Sequence, residues 1–388
     1  MDFEISRAQQ ELVDAIAALC SRFDDRYWLT RDTEGGFPEE FYRAVADAGW
    51  LGIAMPEEYG GAGLGITEAA LMMQTIAEAG GAMSAASSVH MNIFGLNPVV
   101  VFGTPEQKQR MLPPLIKGEA KACFAVTEPD AGLNTTKLTT KAVRDGNRYV
   151  ISGRKIWIST AQVADYMLIL ARTTPADAVR KPAEGLSLFY TKLDRSRIEV
   201  REIEKMGRKA VDSNQLFIDG LEVPEEDRIG EEGKGFHYIL HGMNPERVLV
   251  GAEAVGIGRA ALFRAARYAR ERIVFGRPIG QNQAIQHPLA NCWASLEAAR
   301  LMVYRAGALY DGGRPCGPEA NAAKLLAAQA AVETCEIAQL THGGYGYAKE
   351  FHIERLLREA LLVRIAPITP HLILSNIAEK VLGLPKSY

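Results

Sequence analysis

The 388-residue chain has few cysteines and no pattern among them. Cys20, Cys123, Cys292, Cys316 and Cys335 are scattered, odd in number and form no Cys-x-x-Cys pair. A disulfide framework or a cysteine zinc site is therefore not expected. The seven histidines show no metal-ligand spacing, so no metal is expected either. One-signed charge is also missing: 44 Lys and Arg against 47 Asp and Glu leave a net charge of −3. A chain so balanced has no bulk attraction to nucleic acid or to an anionic membrane, and neither is expected as a partner. The start, Met1-Asp2-Phe3-Glu4, carries acids where a leader peptide would carry bases. No apolar run reaches membrane-spanning length, so a cytoplasmic protein is expected. Internal repeats and low-complexity tracts are absent.

What is present is a globular composition, 47% hydrophobic and 23% charged, long enough for two or three packed domains. Apolar spacing and start signals predict helices over 10–23, 38–48, 67–79 and 105–117. From Ala122 the pattern changes to short β-branched and aromatic runs at 123–126, 149–152, 166–171, 186–192 and 215–218. Asp145-Gly146-Asn147, between the runs 139–143 and 148–151, predicts a hairpin, because Gly and Asn tolerate positive φ. After Gly235, alanine- and leucine-rich stretches at 247–272, 284–310 and 319–341 predict bundle helices. Gly343-Gly344 stands where a C-cap would end the last of them. The fold class expected is a multi-domain α+β protein: an N-terminal α-helical domain over 1–120, a middle β-barrel or sandwich domain over 121–234, and a C-terminal four-helix bundle over 235–388.

Two segments carry chemistry. Phe124 to Gly132 is a β-like run ending in a Glu128-Pro129 turn and a glycine, where backbone N–H groups become free to meet pyrophosphate oxygens. In Lys155-Ile156-Trp157-Ile158-Ser159, strand alternation would put Trp157 and Ser159 on one side. One could then stack on a flat ring while the other hydrogen-bonds it. The alternative is an ordinary strand with a packed tryptophan.

With Lys205-Met206-Gly207, the run from Arg272 to Arg277 and His342-Gly343-Gly344-Tyr345-Gly346, in this order, the whole chain resembles the acyl-CoA dehydrogenase family. The resemblance implies FAD held around Phe124, Val126, Thr127, Gly132 and Leu133, with Trp157 and Ile158 at the ring and Ser159 near N5. It implies further FAD contacts at His342, Gly343, Gly344 and Thr369. Arg272, Phe275 and Gln283 match residues that reach the flavin of a neighbouring subunit, which implies a homo-oligomer, a tetramer or a dimer. Asn244, Arg247, Leu133 and Ile368 are implied in acyl-CoA binding, and electron-transfer flavoprotein is the implied electron acceptor in fatty-acid metabolism. Ser159 stands where threonine is commoner and keeps the hydroxyl. Leu133 replaces a usual serine or threonine, and Leu340 a frequent glutamine.

The implied reaction needs a carboxylate to take the α-proton of a thioester. Many family members supply it from a loop near the C-terminus, where this chain has Pro367. Glu246, in Asn244-Pro245-Glu246-Arg247, matches the placement in isovaleryl-CoA and long-chain acyl-CoA dehydrogenases and is the expected base. The alternative is a helix-start carboxylate, with Asn244 as N-cap and Pro245 at the first helical position. Glu128, Glu350, Glu354 and Glu359 compete less well; Glu128 lies in the cofactor turn, and Glu354, Arg355, Arg358 and Glu359 read as a helical charge network. His90 to Phe94 would lie near the acyl-pocket floor, with His90 equally readable as a satisfied core residue. Residues 205–213 would help hold CoA or form a surface loop. An acyl-CoA oxidase-like enzyme and an inactive flavin-binding scaffold are the competing readings.

Overall fold

The computed structural model describes residues 4–387. Seven helices come first: α1 (Arg7–Cys20), α2 (Asp25–Glu34), α3 (Glu39–Asp47), α4 (Ile66–Ile76), α5 (Ala82–Phe94), α6 (Asn97–Phe102) and α7 (Pro105–Ile116). Ser6 and Thr104 begin α1 and α7 as capping boxes, their hydroxyls accepting from Gln9 and Gln107 while those side chains reach back. Between α4 and α5 the backbone breaks at Gly80, at φ +104°. The Gly80 carbonyl accepts from Arg355 Nη2 at 2.7 Å, a partner that kinked backbone requires.

The middle of the chain is one eight-stranded sheet: β1 (Ala122–Ala125), β2 (Lys141–Asp145), β3 (Arg148–Ser159), β4 (Tyr166–Arg172), β5 (Leu186–Lys192), β6 (Ile198–Glu202), β7 (Ser213–Pro224) and β8 (Arg228–Ile229). Its order is β6-β7-β3-β2-β4-β5-β8, with β1 parallel to β4. The predicted hairpin is there, with Asp145 opposite Arg148 and Gly146 at φ +63°. A single pair, Lys141 with Arg172, joins β2 to β4. On either side of that junction the strands contribute to a common core: Met167, Ile169 and Phe189 pack with Tyr149, Ile151, Leu216 and Ile218. This is the expected sandwich packing, produced by a sheet that folds over itself. The opposite face of β4 and β5, Leu168, Leu170, Leu186 and Leu188, packs on Leu112 and Leu115 of α7. Alternation with period two lets the same strands serve both cores.

The chain then returns to helices: α8 (Gly235–Leu240), α9 (Met243–Glu271), the small hairpin β9 (Ile273–Val274) and β10 (Arg277–Pro278), α10 (Gln283–Asp311), α11 (Gly317–His342), α12 (Ile353–Ile365) and α13 (Pro370–Lys380). Helices α9 to α12 form the bundle. Its core is continuous with that of the first helices: Phe41, Ile76 and Val89 share one cluster with Val248, Leu249, Ala327 and Leu356. Helix α9 starts four residues earlier than the sequence predicts. Gly242 takes the cap position, because α8 runs almost directly into α9, and Asn244 caps nothing. Another expectation needs correction: helical stretches 66–102 and 353–380 do have the length and composition of membrane spans. The first is kinked at Gly80 and mostly buried in the core, and the second is interrupted between Ile365 and Pro370.

Candidate functional site

The residues expected at the cofactor gather where β1 and β3 end. After β1 the chain turns, with Glu128 and Ala131 exchanging backbone hydrogen bonds of 3.3 and 3.2 Å. Buried Glu128 closes this turn, accepting from Lys155 Nζ at 3.0 Å, Thr139 N at 2.6 Å, Thr139 Oγ1 at 2.9 Å and Thr140 N at 3.0 Å. Burial pushes the Glu128 carboxyl up, but the Lys155 charge and the threonine donors outweigh it and hold it at about 2. Lys155 Nζ also donates to Val126 O at 3.1 Å, and Ile156 N to Thr127 O at 2.9 Å. Phe124 is half-buried, its ring 5.8 Å from that of Phe94. Beyond the turn, Gly132 and Leu133 are exposed, and nothing lies within 4 Å of where a Gly132 Cβ would stand.

On β3 the register against β7 shifts between Lys155 and Ile158. Trp157 occupies this irregularity at φ +62° and is 58% exposed, whereas the neighbouring Ile158 is buried. Regular alternation does not include this bulge, which turns the indole out of the chain's own packing. Ser159 follows, half-buried, its Oγ accepting from Arg208 Nη2 at 3.0 Å. An open indole face, an unshielded glycine after a clamped turn and a serine hydroxyl at the same strand end are what a flat ring with a pyrophosphate needs. These residues fit FAD.

Glu246 sits in the first turn of α9, half-buried. Its carboxylate makes no hydrogen bond or ion pair among the described residues. Burial pushes it up to about 7, against the pull of His90 and Arg247. Two turns further along α9, fully buried Glu253 meets His90 of α5, Oε1 to Nδ1, at 2.6 Å. Burial alone would lower the His90 pKa; Glu253 outweighs it and raises it. Arg247 Nη1 donates to Asn244 Oδ1 at 3.0 Å, so Asn244 serves the arginine rather than the helix end. Pro367 is exposed in the turn between α12 and α13. Buried Lys324 of α11 holds that turn, donating to Arg364 O at 3.2 Å and Ile368 O at 2.7 Å. Its pKa is lowered to about 8 by burial and by the Arg247 charge, which brings the turn and the head of α9 into one neighbourhood.

The competing carboxylates are engaged or remote. Glu354 binds Arg358 at 2.6 Å, and Glu359 accepts from Ser84 N at 2.9 Å and Ser84 Oγ at 2.6 Å. The expected charge network on α12 thus forms only at Glu354–Arg358, with Arg358 also on Asp32 at 2.6 Å. Glu350 is exposed.

A second group stands apart. Arg272 ends α9, Phe275 is wholly exposed at the tip of the β9–β10 hairpin, and exposed Gln283 begins α10. Glu246 and Arg272 lie at opposite ends of α9, roughly 40 Å apart at the α-helical rise per residue. Gly343 and Gly344 are exposed at the end of α11, Gly343 at φ +59°. His342 does not present its ring: it is buried, stacked on Tyr268 at 4.3 Å, with Nδ1 2.8 Å from Ala338 O. Thr369 caps α13, accepting from Leu372 N at 3.4 Å. A surface cavity of about 770 Å³, lined by Gln107, Arg110, Arg228 and Tyr238 among others, includes none of the candidate residues. A smaller one of about 100 Å³, lined by Ile93, Phe94, Asn97, Pro245 and Tyr310, lies beside the head of α9.

Sequence reasoning missed Glu253 and the part played by Arg208. Glu253 had one signal, an acid seven residues after Glu246 on the same helix face, within the otherwise small and apolar stretch 248–258.

Three family models match this chain: the acyl-CoA dehydrogenase N-terminal domain over 6–119, the middle domain over 123–221 and the C-terminal domain over 233–382. The chain is 36% identical to the acyl-CoA dehydrogenase fadE12 of Mycobacterium bovis, over 99% of this chain and 98% of that protein. It is also 36% identical to the benzylmalonyl-CoA dehydrogenase of Aromatoleum aromaticum, over 98% of this chain and 100% of that protein. Among solved structures, the butyryl-CoA dehydrogenase of Megasphaera elsdenii matches with a TM-score of 0.93 at 29% identity, covering 98% of this chain and 100% of that one.

Proposed function

Because this chain belongs to the acyl-CoA dehydrogenase family of oxidoreductases, we propose that it removes the α-proton of an acyl-CoA thioester with Glu246 while the β-hydride leaves to FAD. The observation that carries this reading is the state of Glu246. Of the candidate carboxylates it alone is half-buried and unpaired, with a pKa raised to about 7. A base poised near neutrality and free of partners can accept a proton at working pH.

FAD bound at the β1–β3 ends supplies the acceptor for the hydride. Val126 and Thr127 would hold it through backbone, Gly132 and Leu133 would give its pyrophosphate room and N–H groups, exposed Trp157 and the backbone of buried Ile158 would border the ring, and Ser159 would offer it a hydroxyl. Glu246 takes the proton on a carboxylate oxygen. Asn244, Arg247 and Ile368 border the thioester, and Arg247 keeps the deprotonated Glu246 accessible. Pro367 has no N–H to give the thioester oxygen, so polarisation of that oxygen falls to other donors.

Arg272, Phe275 and Gln283 serve the flavin of a neighbouring subunit in a tetramer or dimer. Their support is distance, since they stand at the far end of α9 from Glu246, and Phe275 touches nothing of its own chain. Gly343, Gly344 and Thr369 complete the FAD contacts, whereas the packed ring of His342 supports only a backbone role. A soluble cytoplasmic enzyme passing electrons to an electron-transfer flavoprotein is the assignment that completes the cycle. Relatives named for benzylmalonyl-CoA and for butyryl-CoA flank this chain, so the acyl group is to be identified by a substrate panel.

The test is anaerobic mixing of the yellow protein with short, branched, medium, long and aromatic acyl-CoAs, followed by flavin absorbance. Bleaching by one class is expected, and Glu246→Gln is expected to retain flavin and lose at least about 10²-fold in bleaching rate. Full-rate bleaching by E246Q, or thioester binding without bleaching for every class, would overturn the reading.

A further inference from the structure

Arg208 lies in the 203–212 connection between β6 and β7, buried and at φ +55°. A non-glycine residue in that left-handed region is strained, and such strain persists only where the surroundings demand it. Its guanidinium crosses the ends of two strands and a helix. Nη2 donates to Ser159 Oγ at 3.0 Å and to Ser213 Oγ at 2.8 Å, on residues paired across β3 and β7. Nη1 donates to Ser87 Oγ on α5 at 3.2 Å, and buried Nε has no partner.

Every one of these acceptors is a neutral hydroxyl. The carboxylates whose fields reach Arg208 are committed elsewhere: Glu359 to Ser84, Asp212 to Gln162 and Asn214, Glu253 to His90. A buried cation without an adjacent counter-charge costs desolvation energy that hydroxyl partners repay poorly, so stability alone does not account for it. The arrangement does fix one thing. A guanidinium has no acceptor, so Ser159 Oγ must accept from it, and the Ser159 proton is turned toward other directions. Among the described residues nothing accepts that proton.

We propose that Arg208 is a positioning residue that commits the Ser159 hydroxyl as a donor to flavin N5 and sets a positive charge one hydroxyl away from where the hydride's electrons arrive. The inference rests on the FAD reading above. It predicts a flavin more easily reduced than one without Arg208, because charge developing on the reduced ring is met by a polarised donor.

The test is redox-dye equilibration of holoenzyme, comparing wild type with R208Q, R208K, S159A and the R208Q/S159A double variant. At a fixed dye potential, R208Q is expected to shift the ratio of reduced to oxidised flavin about tenfold toward oxidised, which is about 30 mV for a two-electron couple. R208K, keeping the charge but losing the planar fork, is expected to shift it by less. In the S159A background the same R208Q change is expected to lose most of its effect, as for groups acting as one unit. An unchanged ratio in R208Q with flavin retained, or an equal shift in both backgrounds, overturns the proposal. Should R208Q not fold, an unchanged ratio in R208K does so. Wild-type protein that binds no FAD would instead sink the functional reading on which this rests.

Discussion

At the scale of single residues, the raised pKa of Glu246 gives the role of base proposed for it a definite dependence on pH. The base works only when deprotonated, so kcat/KM is expected to rise as pH passes through about 7 and to level off above it. His90 pulls Glu246 down, so His90→Gln is expected to move that limb to higher pH, measurable in pH profiles of the purified enzyme. Glu128 has the opposite displacement and another consequence. Its carboxyl is held at about 2 when folded, against 4.5 for the free side chain. The resulting stabilisation is fully present above about pH 4.5 and lost as pH falls toward 2, with a size of about 3 kcal/mol. Acid titration of unfolding should show this loss in wild type and a smaller one in Lys155→Met, where the counter-charge is gone. Glu246 could be proposed from sequence because its context, Asn244 to Arg247, is contiguous. Trp157 could be found as a residue but not in its posture, which depends on a bulge against β7. Arg208 and Glu253 take their meaning from partners contributed by α5 and β3, and such pairings are not written in local spacing.

Among the elements, helix starts show how far local signals reach. The N-termini of α1 and α7 carry their caps in the sequence, at Ser6 and Thr104, and were placed within three residues. Helix α4 does not: Gly65 precedes it, and its first amides are satisfied by Asp311 from the end of α10, at 2.7 Å to Ile66 N, 2.9 Å to Thr67 N and 2.6 Å to Thr67 Oγ1. Asp311→Ala leaves those donors unmet and is expected to lower stability by about 1–2 kcal/mol, read as a lower urea midpoint at unchanged slope. No periodicity could have announced a cap from 245 residues away. The start of α9 shows the converse, where a plausible local cap at Asn244 lost to continuation from α8. Strand positions were legible from β-branched runs, but their order, with β1 joining β4 and β2 meeting β4 at one pair, is a tertiary result.

For the molecule as a whole, Phe275 offers a direct test of assembly. Phe275→Ala removes an aromatic side chain that contacts nothing in its own chain, so the isolated fold should be unharmed. Sedimentation is expected to show a weaker oligomer and gel filtration a loss of flavin; an unchanged mass and flavin content would refute the role given to that hairpin. The three-part layout was visible in the changes of pattern near 121 and 235, whereas the union of the first and last parts was not. Phe41 and Val89 belong to the same core as Ala327 and Leu356, with the whole sheet lying between them in sequence. During synthesis at about 5–20 residues per second the 388-residue chain takes roughly 20–80 s to emerge. For most of that time α3, α4 and α5 lack the side chains of α9, α11 and α12 that complete their core, while the sheet behind them can already close and cover α7. A ribosome-stalled chain ending before α11 is therefore the species that a holdase chaperone should capture, and release should follow only when the last helices arrive.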